Sequence, residues 1–206
     1  MSQPLKIYSF PLSGHAHRVR LFASVAGIPH EVIDVDLAAG EQRQAPFLNL
    51  NPFGQVPVIQ DGDITLADSN AILFYLAKKY APQYLPKDPV QEAQVQQFLS
   101  FAAGELAFGP ATARLITVFG APLDAQLAIS RAHNLFAKLN QHLASRGSLV
   151  GDHLTIADFA LYTYTAHAPE GNVDLAEYPE IKRWLAGIEA LEGFIPMKST
   201  AVGLAA

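Results

Sequence analysis

Ser13, His15 and His17 are the first residues of this 206-residue chain whose types and spacing could do chemistry. A serine near a histidine suggests nucleophilic hydrolysis, but no GxSxG elbow surrounds Ser13, and Gly14 follows it directly. The two histidines fall two apart at a helix start, so they point in different directions. No nearby carboxylate or third histidine completes a metal set, so they read as polar surface and no metal is expected. On spacing alone Ser13 is a helix N-cap, because a serine oxygen can accept from the first-turn N–H groups. Asp68-Ser69 opens another apolar-periodic stretch, and Asp68 likewise reads as a cap. The chain has no cysteine, which excludes a disulfide framework, a CxxC redox pair and any reaction needing a protein thiol. Gly-rich phosphate loops are absent as well.

Composition narrows the classes further. Half of the residues are hydrophobic, enough for a substantial core, and the net charge of −5 is scattered rather than clustered. A nucleic-acid partner would need a basic face that this sequence lacks. There is no apolar run of membrane-spanning length and no leader-like segment at Met1 to His15, so a cytoplasmic protein without a membrane partner is expected.

The elements that must hold these residues follow from periodicity. Leu5, Ile7 and Ser9 alternate with Lys6, Tyr8 and Phe10 as a strand, and Val19, Leu21, Phe22, Val25 and Ala26 then recur at helical spacing up to Gly27. A strand over Val32 to Val35 completes a βαβ unit whose strands must be parallel. A polar, partly helical excursion over Glu41 to Leu50 leads to two apolar runs, Val56 to Ile59 and Ile64 to Leu66. Asp61-Gly62-Asp63 between them signals a hairpin. A helix over Ser69 to Tyr80 closes this half. The segment Ala81 to Pro89 holds three prolines and reads as a linker.

Beyond the linker every period is helical. Val95, Phe98, Leu99, Ala102 and Leu106 form one stripe, which Gly109-Pro110 should bend or split. Leu135, Phe136, Leu139 and Leu143 form a second stripe, and Ile181, Trp184, Leu185, Ile188 and Leu191 form a third behind Pro179. Leu154 to Phe159 carries a carboxylate capping box, Thr155 with Asp158, inside a hydrophobic staple of Leu154 and Phe159.

Four segments, in this order, resemble the cytosolic glutathione transferases, particularly the theta-like and phi-like classes that use serine. They are Tyr8-Ser9-Phe10-Pro11-Leu12-Ser13, Asn51-Pro52-Phe53-Gly54-Gln55-Val56-Pro57, Asp68-Ser69-Asn70-Ala71-Ile72, and Leu154 to Phe159. The resemblance implies an α/β thioredoxin-like domain over residues 1–80 (βαβ, then ββα), a linker over 81–89, and an all-helical domain over 90–206. It also implies glutathione as co-substrate with no further cofactor, a hydrophobic electrophile as second substrate, and a homodimer.

Residue by residue, the resemblance makes Ser13 the donor that holds the glutathione thiolate, with Tyr8, the residue type used by other classes, ranked below it. Val56-Pro57 would be a cis-proline turn in which the Val56 backbone pairs with the cysteinyl group, and Gln55 would lie beside the peptide. Ser69 and its helix amides would receive the γ-glutamyl carboxylate, and Asp68 the ammonium, although the family more often has glutamate there. Gln42 and Arg43 fall where the theta-like pattern places basic residues for the glycyl carboxylate; Gln42 departs from that pattern. Leu12 and Phe108 would offer apolar walls to the second substrate. Phe53 would either join the dimer contact or pack under its own domain. A glutathione-dependent peroxidase or disulfide reductase, and a non-catalytic binding protein on the same scaffold, are the alternatives.

Overall fold

The computed structural model describes residues 4–206. The chain forms two compact units: one comprises the chain up to Gln83 together with Leu191–Lys198, the other Tyr84–Ala190 with Ser199–Ala206.

In the first unit, β1 (Leu5–Ser9), α1 (Gly14–Val25) and β2 (His30–Asp34) form the βαβ motif, with β1 and β2 parallel. The excursion holds a 3₁₀ turn at Glu41–Arg43 and the short helix α2 (Ala45–Leu48). The hairpin β3 (Val58–Asp61) and β4 (Ile64–Ala67) leads into α3 (Ser69–Tyr80). Strand order β2-β1-β3-β4, with β3 antiparallel to both neighbours, gives the thioredoxin-like arrangement.

Side-chain alternation divides the core between the two faces of the sheet. Ile7 and Ile59, paired across β1 and β3, are fully buried, as are Val19 and Phe22 of α1 and Ile72, Leu73 and Leu76 of α3. The opposite face carries Tyr8 and Val58 against Phe47, Val35 and Leu50. Phe47 therefore nails the excursion to the sheet, and full burial of such a ring contributes about 1.5–3 kcal/mol.

Two strands start at other residues than their apolar runs predict, and strand ends move by one or two residues. β2 starts earlier, at His30, because its residues pair with β1 from Leu5 onward. β3 starts later, at Val58 rather than Val56, because Pro57 has no N–H to give a ladder.

The second unit consists of α4 (Pro89–Ala103), a π-helical turn at Ala107–Ala111, α5 (Thr112–Phe119), α6 (Ala125–Leu143), α7 (Ile156–Ala166) and α8 (Pro179–Glu189). Gly109 leaves helical torsions and Pro110 lacks an N–H, so the long stripe is split between α4 and α5. Asp88, Asp124 and Thr155 cap α4, α6 and α7 through their side-chain oxygens. The capping box of α7 is complete, and its Asp158 does more than cap. Fully buried, it accepts from Leu149 N, Thr155 N, Thr155 Oγ1 and Trp184 Nε1 at 2.8–3.2 Å. Burial pushes its carboxyl pKa up while these four donors pull it back. The α7 start is thereby tied to the loop before it and to α8. Among the described residues no helix is long and apolar enough to cross a membrane.

Candidate active site

Tyr8 pairs with Val58 and Val58 with Ala67, so the end of β1, the start of β3 and the end of β4 share one edge of the sheet. The backbone continuing from these three strand ends carries Leu12 and Ser13, Gln55 to Pro57, and Asp68 and Ser69.

Ser13 is the N-cap of α1, and its Oγ accepts from Ala16 N at 3.2 Å. Its hydroxyl hydrogen has no acceptor among the described residues, which leaves it available to an anion. The α1 N-terminus adds a positive potential at the same place. Tyr8 is otherwise committed: its hydroxyl donates to Gln60 Oε1 at 2.6 Å and its ring meets Phe47 edge-on. Burial, and then Glu31, raise its pKa, making it a poorer partner for a thiolate.

Asp68 caps α3, with Oδ1 accepting from Asn70 N and Ala71 N at 3.0 and 2.9 Å. It does so with φ at +71°, a conformation rare outside glycine that tends to accompany functional turns. Ser69 behind it is buried. Its Oγ lies 3.4 Å from both Arg18 Nη1 and His15 Nδ1, and Arg18 Nη1 also reaches Asn70 Oδ1 at 3.1 Å.

Both histidines correct the sequence reading. His17 is not surface but 1% exposed, with Nε2 donating to the Ile195 carbonyl at 2.9 Å. His15 is half-buried beside Ser69, and burial, with Arg18 adding to it, lowers its pKa to about 3. It is therefore neutral at physiological pH. No motif in the sequence gives Arg18 or Asn70 a role in the site. The available signal was the i, i+3 spacing of His15 and Arg18, which puts them on one face of α1.

The turn and loop on the other side are joined by a glycine. A β-carbon at Gly54, where φ is +61°, would sit 3.0 Å from the Gln42 carbonyl oxygen, so only glycine lets the 51–57 loop approach the Glu41–Arg43 turn this closely. Asn51 braces the loop, donating from Nδ2 to Gln55 O at 2.8 Å and accepting from Phe53 N. The Val56–Pro57 peptide bond is cis. Gln42 directs Nε2 towards Leu37 O, and its buried Oε1 has no partner. Arg43 and Gln55 are exposed, Leu12 and Val56 half-buried. Phe53 is 83% exposed, which rules out packing beneath its own domain. In the helical unit Phe108 lies in the π-helical turn with 59% of its surface exposed, outside that unit's core. Among the described residues no group of three His, Cys, Asp or Glu is arranged to hold a metal.

A thioredoxin-like unit followed by an all-helical unit defines a two-domain class. Residues 3–78 match the family model of the glutathione S-transferase N-terminal domain, and residues 124–192 that of the C-terminal domain. Glutathione S-transferase 3 of Zea mays is 32% identical over 93% of this chain and 91% of its own length. The crystal structure of a glutathione S-transferase from Pseudomonas fluorescens superposes with a TM-score of 0.90 at 32% identity, covering 96% of this chain and all of that one. A Drosophila mojavensis glutathione transferase homologue, solved with bound glutathione, gives 0.84 at 28% identity over 93% and 89%. The chain belongs to the glutathione S-transferase family.

Proposed function

We propose that this protein conjugates glutathione to hydrophobic electrophiles in the cytoplasm, holding the tripeptide's sulfur as a thiolate at Ser13. The thiolate attacks an electrophilic carbon and a C–S bond forms. In substitution the leaving group departs with its bonding electrons; in addition to an activated double bond, the displaced pair ends by taking a proton from water. Ser13 acts as a donor, neither base nor nucleophile, and no further cofactor enters the reaction.

The observation that carries this reading is the Ser13 hydroxyl, seated at a helix N-terminus with its hydrogen uncommitted. A free thiol titrates near about 8.5, and lowering that by two units takes roughly 2.7 kcal/mol. A hydrogen bond to a charged acceptor contributes about 1.5–3 kcal/mol, and a helix N-terminus a further ~0.3–1 kcal/mol. The two together, about 1.8–4 kcal/mol, bracket that requirement, so Ser13 at its helix start is proposed as the group that meets it.

Around the sulfur, Val56 offers backbone groups that join no strand, with Gln55 beside them. Ser69 and the first amides of α3 take the γ-glutamyl carboxylate, and the second Asp68 oxygen takes the ammonium. Arg43 reaches the glycyl carboxylate, with Gln42 next to it. Leu12 and Phe108 are the apolar residues proposed for the electrophile, and Phe53 for the contact of a homodimer. The test is calorimetry with glutathione followed by turnover with an activated aryl halide. A dissociation constant on the order of micromolar to millimolar is expected. Absence of both heat and turnover overturns the proposal.

A further inference from the structure

Ser13 and Ser69 begin two different helices, yet one ligand must meet both, so whatever couples these helix starts controls how that ligand is held. Arg18 lies in the second turn of α1 and is 1% exposed, and its guanidinium spans to α3 through Ser69 Oγ and Asn70 Oδ1. His15, one turn earlier on the same face, brings Nδ1 to the same Ser69 oxygen. Arginine can only donate, so the Ser69 oxygen must accept from it. The serine hydrogen is then directed away from Arg18, and in the Nε2-protonated tautomer of neutral His15 the bare Nδ1 accepts it.

We propose that His15 and Arg18 are positioning residues for the Ser69 hydroxyl, aiming its hydrogen so that it swings from His15 to the γ-glutamyl carboxylate of glutathione. At 3.4 Å the Ser69–His15 contact is long for a hydrogen bond, so the exchange for a carboxylate oxygen costs little and gains a charge-assisted bond. Arg18 supplies positive charge next to that carboxylate without touching it. The inference rests on the glutathione-binding reading and names the residues that tune one end of that ligand.

The experiment compares glutathione with cysteinylglycine, which lacks the γ-glutamyl group. In His15→Leu the ratio of kcat/KM for glutathione to that for cysteinylglycine should fall about tenfold, the equivalent of one hydrogen bond. The loss should appear in KM for glutathione, with kcat at saturation nearly unchanged. His15→Asn, whose side-chain oxygen can accept as Nδ1 does, should restore the ratio. Arg18→Met should lower it in the same direction and serves if His15→Leu does not fold. Equal losses for both peptides, or no loss in either variant, overturn the inference and leave the parent reading standing. No glutathione binding by the unaltered protein overturns both.

Discussion

At the scale of single residues, the candidate site is made of side chains that serve the fold and keep one capacity in reserve. Ser13 accepts an α1 amide and retains its hydrogen; Asp68 caps α3 with one oxygen and retains the other. His15 reserves nothing that titrates in the physiological range, since its folded pKa, lowered to about 3, lies well below the ordinary value near about 6.5. Between those limits the unfolded chain binds the extra proton. The stability that neutral His15 contributes is therefore complete above pH about 6.5 and is lost as pH falls towards 3, by up to about 1.4 kcal/mol per pH unit. Melting curves across that window should show a shallower pH dependence in His15→Asn than in the unaltered protein. An equal slope in both would show that His15 is not the group responsible. Sequence made Ser13 and Asp68 legible because capping has a local signature. His15 and His17 were misread because burial by Ser69 and by the Leu191–Lys198 segment comes from residues far away along the chain.

Elements form where local signals agree, and the limits that moved are those where tertiary pairing decided. The helix over Ser69 to Tyr80 was legible to the residue, because Asp68 marks its start and the apolar period runs unbroken to its end. The start of β3 was not, because an apolar run from Val56 reads as strand although Pro57, which has no N–H to give, holds pairing off until Val58. The capping box of α7 was legible as a helix start, but its reach to α8 was not: the Trp184 Nε1 bond to Asp158 joins residues 26 apart. Asp158→Ala would strand buried donors at Leu149, Thr155 and Trp184. With each worth about 1–3 kcal/mol, a loss of at least 3 kcal/mol is expected. Trp184 is the sole tryptophan, so its fluorescence reports this unfolding directly. A melting temperature unchanged by the substitution would show that the network does not hold the helical unit.

For the whole molecule, the chain's ends matter more than periodicity suggests. Leu191–Lys198 leaves the helical unit and joins the first, where Ser24 Oγ donates to Gly193 O at 2.6 Å and His17 to Ile195 O. Gly193 has φ at +80°, and a β-carbon there would meet Ser24 O at 2.8 Å, so this return needs glycine. Nothing in the local sequence around Leu191 announces it. Association belongs to this scale too. Phe53, held out on the loop that Asn51 braces, is proposed to bury its ring against a second copy. Phe53→Ser should shift sedimentation towards monomer by several-fold in the dissociation constant, with the melting of the isolated chain little changed. A wild-type protein that sediments as a monomer at all concentrations would refute the proposed dimer.

The central claim is that one serine hydroxyl at the head of α1 keeps a borrowed sulfur ionised, and the ultraviolet absorbance of thiolate, titrated on the protein–glutathione complex, tests it most directly. The unaltered protein should titrate about two units below the free thiol's ~8.5, and Ser13→Ala should return the midpoint towards that value. A bound thiol that titrates like free glutathione, or a midpoint that Ser13→Ala leaves in place, would contradict the account.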